Sequence, residues 1–358
     1  MSTGFHSLAI TDVRRETEDA ISVRFAVPPP LAETFHFLPG QHLTLRAQID
    51  GDDLRRSYSI CSGPDETGMR VAIKRIGGGR FSNWANDTLV AGSQLDVMAP
   101  AGAFTWAFDP ASAARYALFA SGSGITPIVS LIKAGLAAEP QSHFALFYGN
   151  RETGSILFLE ELAQLKNRYM DRFEAHYFLS REEDELAFLN GRIDRAKMHD
   201  ILTLFPPEDA IDMAFVCGPE AMMDAVETAL VEAGLDRSRI RSERFTASEL
   251  SADRSAAVQQ LEQQAAGKPI KVTINGKRRT VLYDPALESI LENGRAAGLP
   301  APFACKAGVC ATCRARLVRG KVEMIRNFGL SQDEIDRGYI LTCQAIPVSD
   351  DVEIDFDA

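Results

Sequence analysis

The sequence predicts three domains in series: an antiparallel β-barrel, an α/β domain on a parallel sheet, and a small α+β domain folded around a cysteine loop. Three observations carry this. Short strand-like runs separated by turns fill residues 1–108, and longer apolar runs alternate with helical stretches over 109–246. In the last segment, 268–358, "CKAGVCATC" (305–313) holds three of the chain's six cysteines. A length of 358 residues suits two or three domains, and 46% hydrophobic residues is ordinary for a protein with several cores.

In the first domain "AISVRFAV", "QHLTLRAQI", "RRSYSI", "MRVAIKRI" and "QLDVMAP" read as short strands divided by turn residues, the pattern of an antiparallel barrel. Arg56 has the charge to neutralise a phosphate, Tyr58 offers a ring to a planar cofactor, and Ser59 offers a hydrogen bond. Gly78 and Gly79 precede Ser82, a candidate N-cap for a short helix whose free amides can cradle a pyrophosphate. Read alone, the stretch favours an ordinary strand followed by a capped helix.

In the second domain "YALFA", "HFALFYG", "FEAHYFLS" and "DMAFVCG" are the apolar runs. They alternate with helical "ITPIVSLIKAGL" and "EAMMDAVETALVEAG", which predicts βα units and a sheet buried on both faces. "SGSGITP" is a strand-to-helix turn in which Gly122 and Gly124 allow a phosphate to approach and Pro127 suits the first helical turn. It lacks the full G-x-G-x-x-G form, so a purely structural glycine turn is an equal reading. Cys217-Gly218-Pro219 opens a second such turn in the same sheet, and ligands bind at the carboxyl ends of such strands. Arg151, Arg181 and Arg192 follow strand ends where a 2′-phosphate can be gripped bidentately; each reads equally as a surface arginine.

Residues 247–267 are polar, rich in small residues and without a sustained apolar stripe, which predicts an interdomain linker. The third domain opens with strand-like "IKVTI" and "RRTVLY" joined by Asn275-Gly276, a strong hairpin signal. In "PALESILENGRAAG", Leu287, Ile290 and Leu291 share a helical face. The cysteine loop follows, then strand-like "RARLV" and "VEIDF". Cys305, Cys310, Cys313 and Cys343 have the C-x4-C-x2-C…C spacing of plant-type [2Fe–2S] ligation, not the paired C-x2-C of a zinc ribbon. Four thiolates around a charged cluster need backbone N–H donors, and the small residues with Gly308 let the chain wrap closely. Cys61 reads as a buried packing residue.

Together these residues resemble the ferredoxin–NADP reductase superfamily. The motifs are Arg56-Ser57-Tyr58-Ser59, Gly78-Gly79-Arg80-Phe81-Ser82, Gly122 to Pro127 including Thr126, Cys217-Gly218-Pro219, and the cysteine loop on a β-grasp domain. The resemblance implies an antiparallel β-barrel for FAD, an α/β nucleotide domain and a C-terminal ferredoxin, as in the reductase components of bacterial oxygenases. Longer strings, among them "FAVPPPL", "CGPEAMMD" and "DFDA", are similar to the reductase subunits of phenylacetyl-CoA epoxidases. It further implies NADPH as donor, an oxygenase as partner, Phe245 covering the flavin, and Cys217 bordering the nicotinamide with Ser59 near the flavin. The reductase of another oxygenase, of ring-hydroxylating or ketosteroid type, fits the same motifs. A non-catalytic redox sensor is the rival from another class, and the nicotinamide motifs oppose it.

Net charge is −11, which argues against nucleic acid as a partner. Residues 268–358 nevertheless carry 13 Lys and Arg against 12 Asp and Glu. Lys306, Arg314, Arg316, Arg319 and Lys321 lie near the metal loop in sequence and predict a docking face for an acidic partner, or else a solvated surface. No apolar run reaches membrane-spanning length, and the N-terminal residues lack a secretory pattern. With thiols suited to an iron–sulfur site, a cytoplasmic location is expected.

Overall fold

The structure, a computed structural model, describes residues 4–63, 66–206, 211–245 and 256–358. The first domain contains β1 (Phe5–Thr17), β2 (Ala20–Phe25), β3 (His42–Ile49), β4 (Asp52–Ser59), β5 (Met69–Lys74), helix α1 (Arg80–Thr88) and β6 (Gln94–Met98). All its strand pairs are antiparallel, in the order β4-β3-β6-β1-β2-β5. A bridge between Ile60 and Val71 joins the two edges and closes the barrel. Inward residues such as Leu8, Val23, Phe25, Leu43, Leu45 and Val71 are buried in its core. Strand β1 was not expected. Its Asp12, Arg14 and Arg15 mask the alternation, because irregularities in its pairing with β2 let it serve β6 first and β2 afterwards.

The second domain runs β7 (Arg115–Ser121), α2 (Ile125–Ala138), β8 (His143–Asn150), α3 (Leu159–Arg168), β9 (Phe173–Leu179), α4 (Arg195–Leu204), β10 (Met213–Gly218), α5 (Glu220–Glu232) and β11 (Ile240–Arg244). Every pair is parallel, in the order β11-β10-β7-β8-β9. Side chains of β7 serve two cores alternately: Tyr116, Leu118 and Ala120 pack with α2, and Ala117 and Phe119 pack with α5 on the other face. This two-sided burial is why the strands read as unbroken apolar runs. The order places β7 beside β10, so the turns after both strands open at one end of the sheet.

Charges tie the barrel to this domain. The buried Arg70 of β5 pairs with Glu161 of α3, and Lys133 of α2 pairs with the same Glu161 and with Glu66 at 2.7 Å. Ser130 donates to the Ser62 carbonyl at 2.8 Å and Lys133 to that of Cys61 at 2.9 Å. Cys61 itself is fully buried, and burial pushes its thiol up to about 12, as a packing role requires.

In the third domain β12 (Pro269–Ile274) and β13 (Lys277–Leu282) form the expected hairpin, with Asn275 and Gly276 both at positive φ. Helix α6 (Ala256–Ala265) precedes them, and α7 (Ile290–Ala296), β14 (Arg314–Arg319), β15 (Val322–Met324), α8 (Gln332–Asp336), β16 (Tyr339–Leu341), β17 (Ala345–Pro347) and β18 (Val352–Asp355) follow. The main sheet is β13-β12-β18-β14-β16, with β12 and β18 parallel, and α7 packs on it. Two expectations change here. Residues 247–255 of the predicted linker lie outside the described residues, but 256–265 is a helix whose Val258 and Leu261 pack on the third core. The helix predicted from Pro285 begins at Ile290: Ser289 caps it by accepting from the Glu292 amide at 3.3 Å, which leaves Leu287 in a separate short turn.

Among the described residues no helix is long and apolar enough to cross a membrane.

Candidate functional site

The cysteine loop joins α7 to β14. Lys306, Gly308 and Ala311 all have positive φ, at 55°, 78° and 51°. Two of these are not glycine, a conformation that costs about 1–3 kcal/mol per residue where the surroundings enforce it. The kinks aim amides at sulfur: Ala307 and Cys310 donate to Cys305 Sγ at 3.3 and 3.4 Å, and Cys305 donates to Cys310 Sγ at 3.4 Å. The Gly308 amide faces the thiol of Cys343, which lies beyond β16. A Cβ on Gly308 would sit 3.0 Å from the Arg326 carbonyl, so only glycine lets the 326–329 turn close over the loop.

The four thiols fall into two facing pairs, Cys305 with Cys310 and Cys313 with Cys343. In each pair the contact holds one proton tightly and loosens the other, lowering Cys310 and Cys343 and raising their partners. Among the described residues no three His, Cys, Asp or Glu converge on a single ion. Two-plus-two sulfurs with inward amides fit a [2Fe–2S] cluster, in which each iron takes two thiolates, better than a one-ion tetrahedral site.

Beside this loop lies a cavity of ≈ 730 Å³ at which all three domains meet. Its walls are Arg56, Tyr58 and Ser59 of β4, the Gly77–Ser82 turn, Glu243 and Phe245 of the second domain, and Phe303–Lys306 with Cys310 of the third. Gly78 takes φ +70°, and space is open where its side chain would be, so bare backbone faces the cavity at the start of α1. Ser82 is not the N-cap. Gly79 holds that position, while Ser82 Oγ accepts from the Ile76 amide at 3.2 Å and pins the turn. The Tyr58 ring packs on Phe81 with centroids 5.8 Å apart, and burial raises its hydroxyl pKa. A planar, phosphate-bearing cofactor fits this set of ring, guanidinium and exposed amides. Phe303 carries Arg55 of β4 on its ring at 4.1 Å and Arg295 of α7 at 3.9 Å, which clasps the cluster domain to the barrel.

Glu243 is a site residue that the sequence reading missed. Ser59 Oγ donates to its carboxyl at 3.2 Å, and desolvation lifts its pKa to about 8. The register of β10 with β11 sets it opposite Cys217, so Ser59, Glu243 and Cys217 come together from three strands. The one sequence signal was its place two residues before Phe245. Cys217 is fully buried and is not among the residues that line this cavity. Burial and the adjacent Glu243 push its thiol well up.

A second cavity, ≈ 710 Å³, opens at the carboxyl ends of the parallel strands. Gly122, Gly124, Gly218, Pro219, Arg151 and Arg192 line it; Arg181, Thr126 and Pro127 do not. Gly122 has φ +54° and faces open space, which suits a ligand's approach. Gly124 has no room for a side chain, since a Cβ there would lie 2.1 Å from the Cys217 carbonyl. Thr126 bonds the Ser123 carbonyl at 2.9 Å and, with Pro127, is buried in the first turn. Lys74 of the barrel also borders this space. Phe245, 37% exposed, faces both cavities and so is not a core residue.

The cations near the loop are less free than their number suggests. Lys306 pairs with Glu292 at 2.9 Å, Arg314 with Glu334, and Arg319 with Asp351 at 3.0 Å. Arg316 and Lys321 are exposed.

Three family models match in chain order: an oxidoreductase FAD-binding domain over residues 7–106, an oxidoreductase NAD-binding domain over 118–228, and a 2Fe-2S iron-sulfur cluster binding domain over 272–348. The chain is 43% identical to a 1,2-phenylacetyl-CoA epoxidase subunit from Escherichia coli (strain K12), over 99% of each. It is 33% identical to the ferredoxin reductase component of 3-ketosteroid-9-alpha-monooxygenase from Rhodococcus rhodochrous, over 98% of this chain and 96% of that one. Phthalate dioxygenase reductase, a solved structure, superposes with a TM-score of 0.58 at 25% identity, over 99% of this chain and 98% of that one. By this domain order and full-length likeness, the chain belongs to the ferredoxin–NADP reductase superfamily, among its electron-transfer reductases with a C-terminal [2Fe–2S] domain.

Proposed function

We propose that the chain is the reductase component of a phenylacetyl-CoA 1,2-epoxidase, drawing electrons from NADPH for a di-iron oxygenase, with FAD and a [2Fe–2S] cluster as resident cofactors. The observation that carries it is the shared lining: Phe245 faces both cavities, and the cysteine loop borders the flavin-sized one. Bound flavin supplies the exchange between a two-electron nicotinamide donor and a one-electron iron–sulfur acceptor. Tyr58 gives it a face, Arg56 and the Gly78-Gly79 turn take its phosphates, and Ser59 with Glu243 offers polar contact at its reacting edge. Gly122, Gly218 and Pro219 receive the dinucleotide, with Arg151 and Arg192 on the 2′-phosphate of NADPH. Phe245 keeps water from the space between the two rings. The domain limits 1–108, 109–246 and 268–358 go with this reading, as does a reducing, cytoplasmic setting for the thiols.

Likeness to the epoxidase protein is 43% against 33% for the ketosteroid component, which favours the first partner. The test is NADPH-driven turnover of phenylacetyl-CoA with its oxygenase supplied, beside parallel mixtures with ketosteroid and ring-hydroxylating oxygenases. Turnover in the first mixture alone is expected. Faster turnover in another mixture refutes the substrate assignment. A protein that reduces neither cytochrome c nor any oxygenase refutes the reductase reading.

A further inference from the structure

His42 begins β3, opposite Ser59 in register, on the strand beside the flavin cavity. Its side chain is unlike its neighbours. Only 5% of the residue is exposed, and Nε2 is sealed from water with no hydrogen bond to a neighbour. The ring is confined on one side by Gly102, where a Cβ would come 2.9 Å from Nδ1; Gly102 takes φ +119°. The main chain is equally fixed, since His42 and Ala101 exchange both backbone bonds, at 2.8 and 3.0 Å. On the other side stands the cluster loop: Cys310 lines the same cavity as His42, and its carbonyl and thiol face the imidazole. A buried imidazole N–H without a partner bears the full cost of its lost hydration, and Cys310 offers an acceptor on the cavity wall that the two residues share.

We propose that His42 is a positioning residue that donates its Nε2–H to Cys310, fixing that cluster ligand against the flavin strand and favouring the cluster's electron-richer state. The positive end of an N–H dipole beside a thiolate ligand stabilises added negative charge, and hydrogen bonding to ligand sulfur is one of the levers on such potentials. The bond ties residue 42 of the barrel to residue 310 of the third domain at the cavity that both line. Arg55 on Phe303 clasps the domains mechanically, whereas His42 acts on the cluster ligand itself. The inference rests on the reading that electrons pass from the flavin site to the cluster.

The test uses full-length protein loaded with FAD and cluster, with both contents quantified, in the forms His42→Leu and His42→Gln. Leu keeps the bulk and removes the donor; Gln returns an N–H at similar reach. Midpoint potentials come from redox titration read by electron paramagnetic resonance, and cluster bleaching after mixing with NADPH is followed by stopped flow. The expected result for His42→Leu is a tenfold loss in the cluster's one-electron equilibrium, a fall of about 60 mV, with slower bleaching. His42→Gln should recover at least half of that fall. Wild-type potential in His42→Leu overturns the proposal, and so does a Gln variant no better than Leu. A Leu protein that cannot hold its cluster beside a Gln protein that can supports the bond; loss in both overturns it. If NADPH fails to bleach the wild-type cluster, the reductase reading has failed instead.

Discussion

Replacing Glu243 with Gln should flatten the protein's stability between mildly acid and mildly alkaline pH. In the fold, burial lifts this carboxyl from 4.5 to about 8, with Ser59 as its hydrogen-bond donor. Unfolded, it loses its proton near 4.5. Between those values the folded state binds more protons, so stability falls as pH rises through the window and levels off above about 8. At 1.36 kcal/mol per tenfold change in proton affinity, the full displacement is worth about 5 kcal/mol. Glu243 reaches the cavity and keeps part of its hydration, so screening reduces this to about 2–3 kcal/mol. The assay is thermal melting of the cofactor-loaded protein from pH 5 to 9. Wild type should lose about 5 °C more than Glu243→Gln across that range. Parallel pH profiles for the two proteins would show that Glu243 ionises normally and that the structure's desolvation argument is wrong.

Cys310→Ser should abolish the [2Fe–2S] resonance signal while flavin stays bound, because the cysteine loop and the barrel fold as separate cores; an unchanged spectrum after dithionite reduction excludes Cys310 as a ligand. Arg151→Ala or Arg192→Ala should weaken NADPH about tenfold relative to NADH, the worth of a charge-assisted contact. Arg181→Ala, outside the cavity, should leave the ratio alone; steady-state kcat/KM with both nucleotides decides, and a larger effect at Arg181 reverses the assignment. Reversing Arg316 and Arg319 to Glu should slow turnover of the oxygenase most at low ionic strength. Since Asp351 already offsets Arg319, most of the effect should appear in Arg316→Glu alone; wild-type turnover across a salt series leaves these side chains a solvated face.

The features legible in the residues alone were local ones. Cysteine spacing and small neighbours specify a loop that can present four thiolates, because the backbone path between close residues is short and its amides are the nearest donors. Asn275-Gly276 specifies a hairpin, and apolar runs between helices specify a parallel sheet, because each follows from φ preference or burial within a few residues. Whatever depends on docking was settled in three dimensions. Ser59 meets Glu243 across 184 positions and Arg55 meets Phe303 across 248, and no local pattern encodes either distance. The same holds for Cys217, which is fully buried with its carbonyl close against Gly124, and for Arg181, which its strand end alone could not separate from Arg151. A turn signals itself through the residues it contains; a site between domains is a property of surfaces that meet only after each domain has folded.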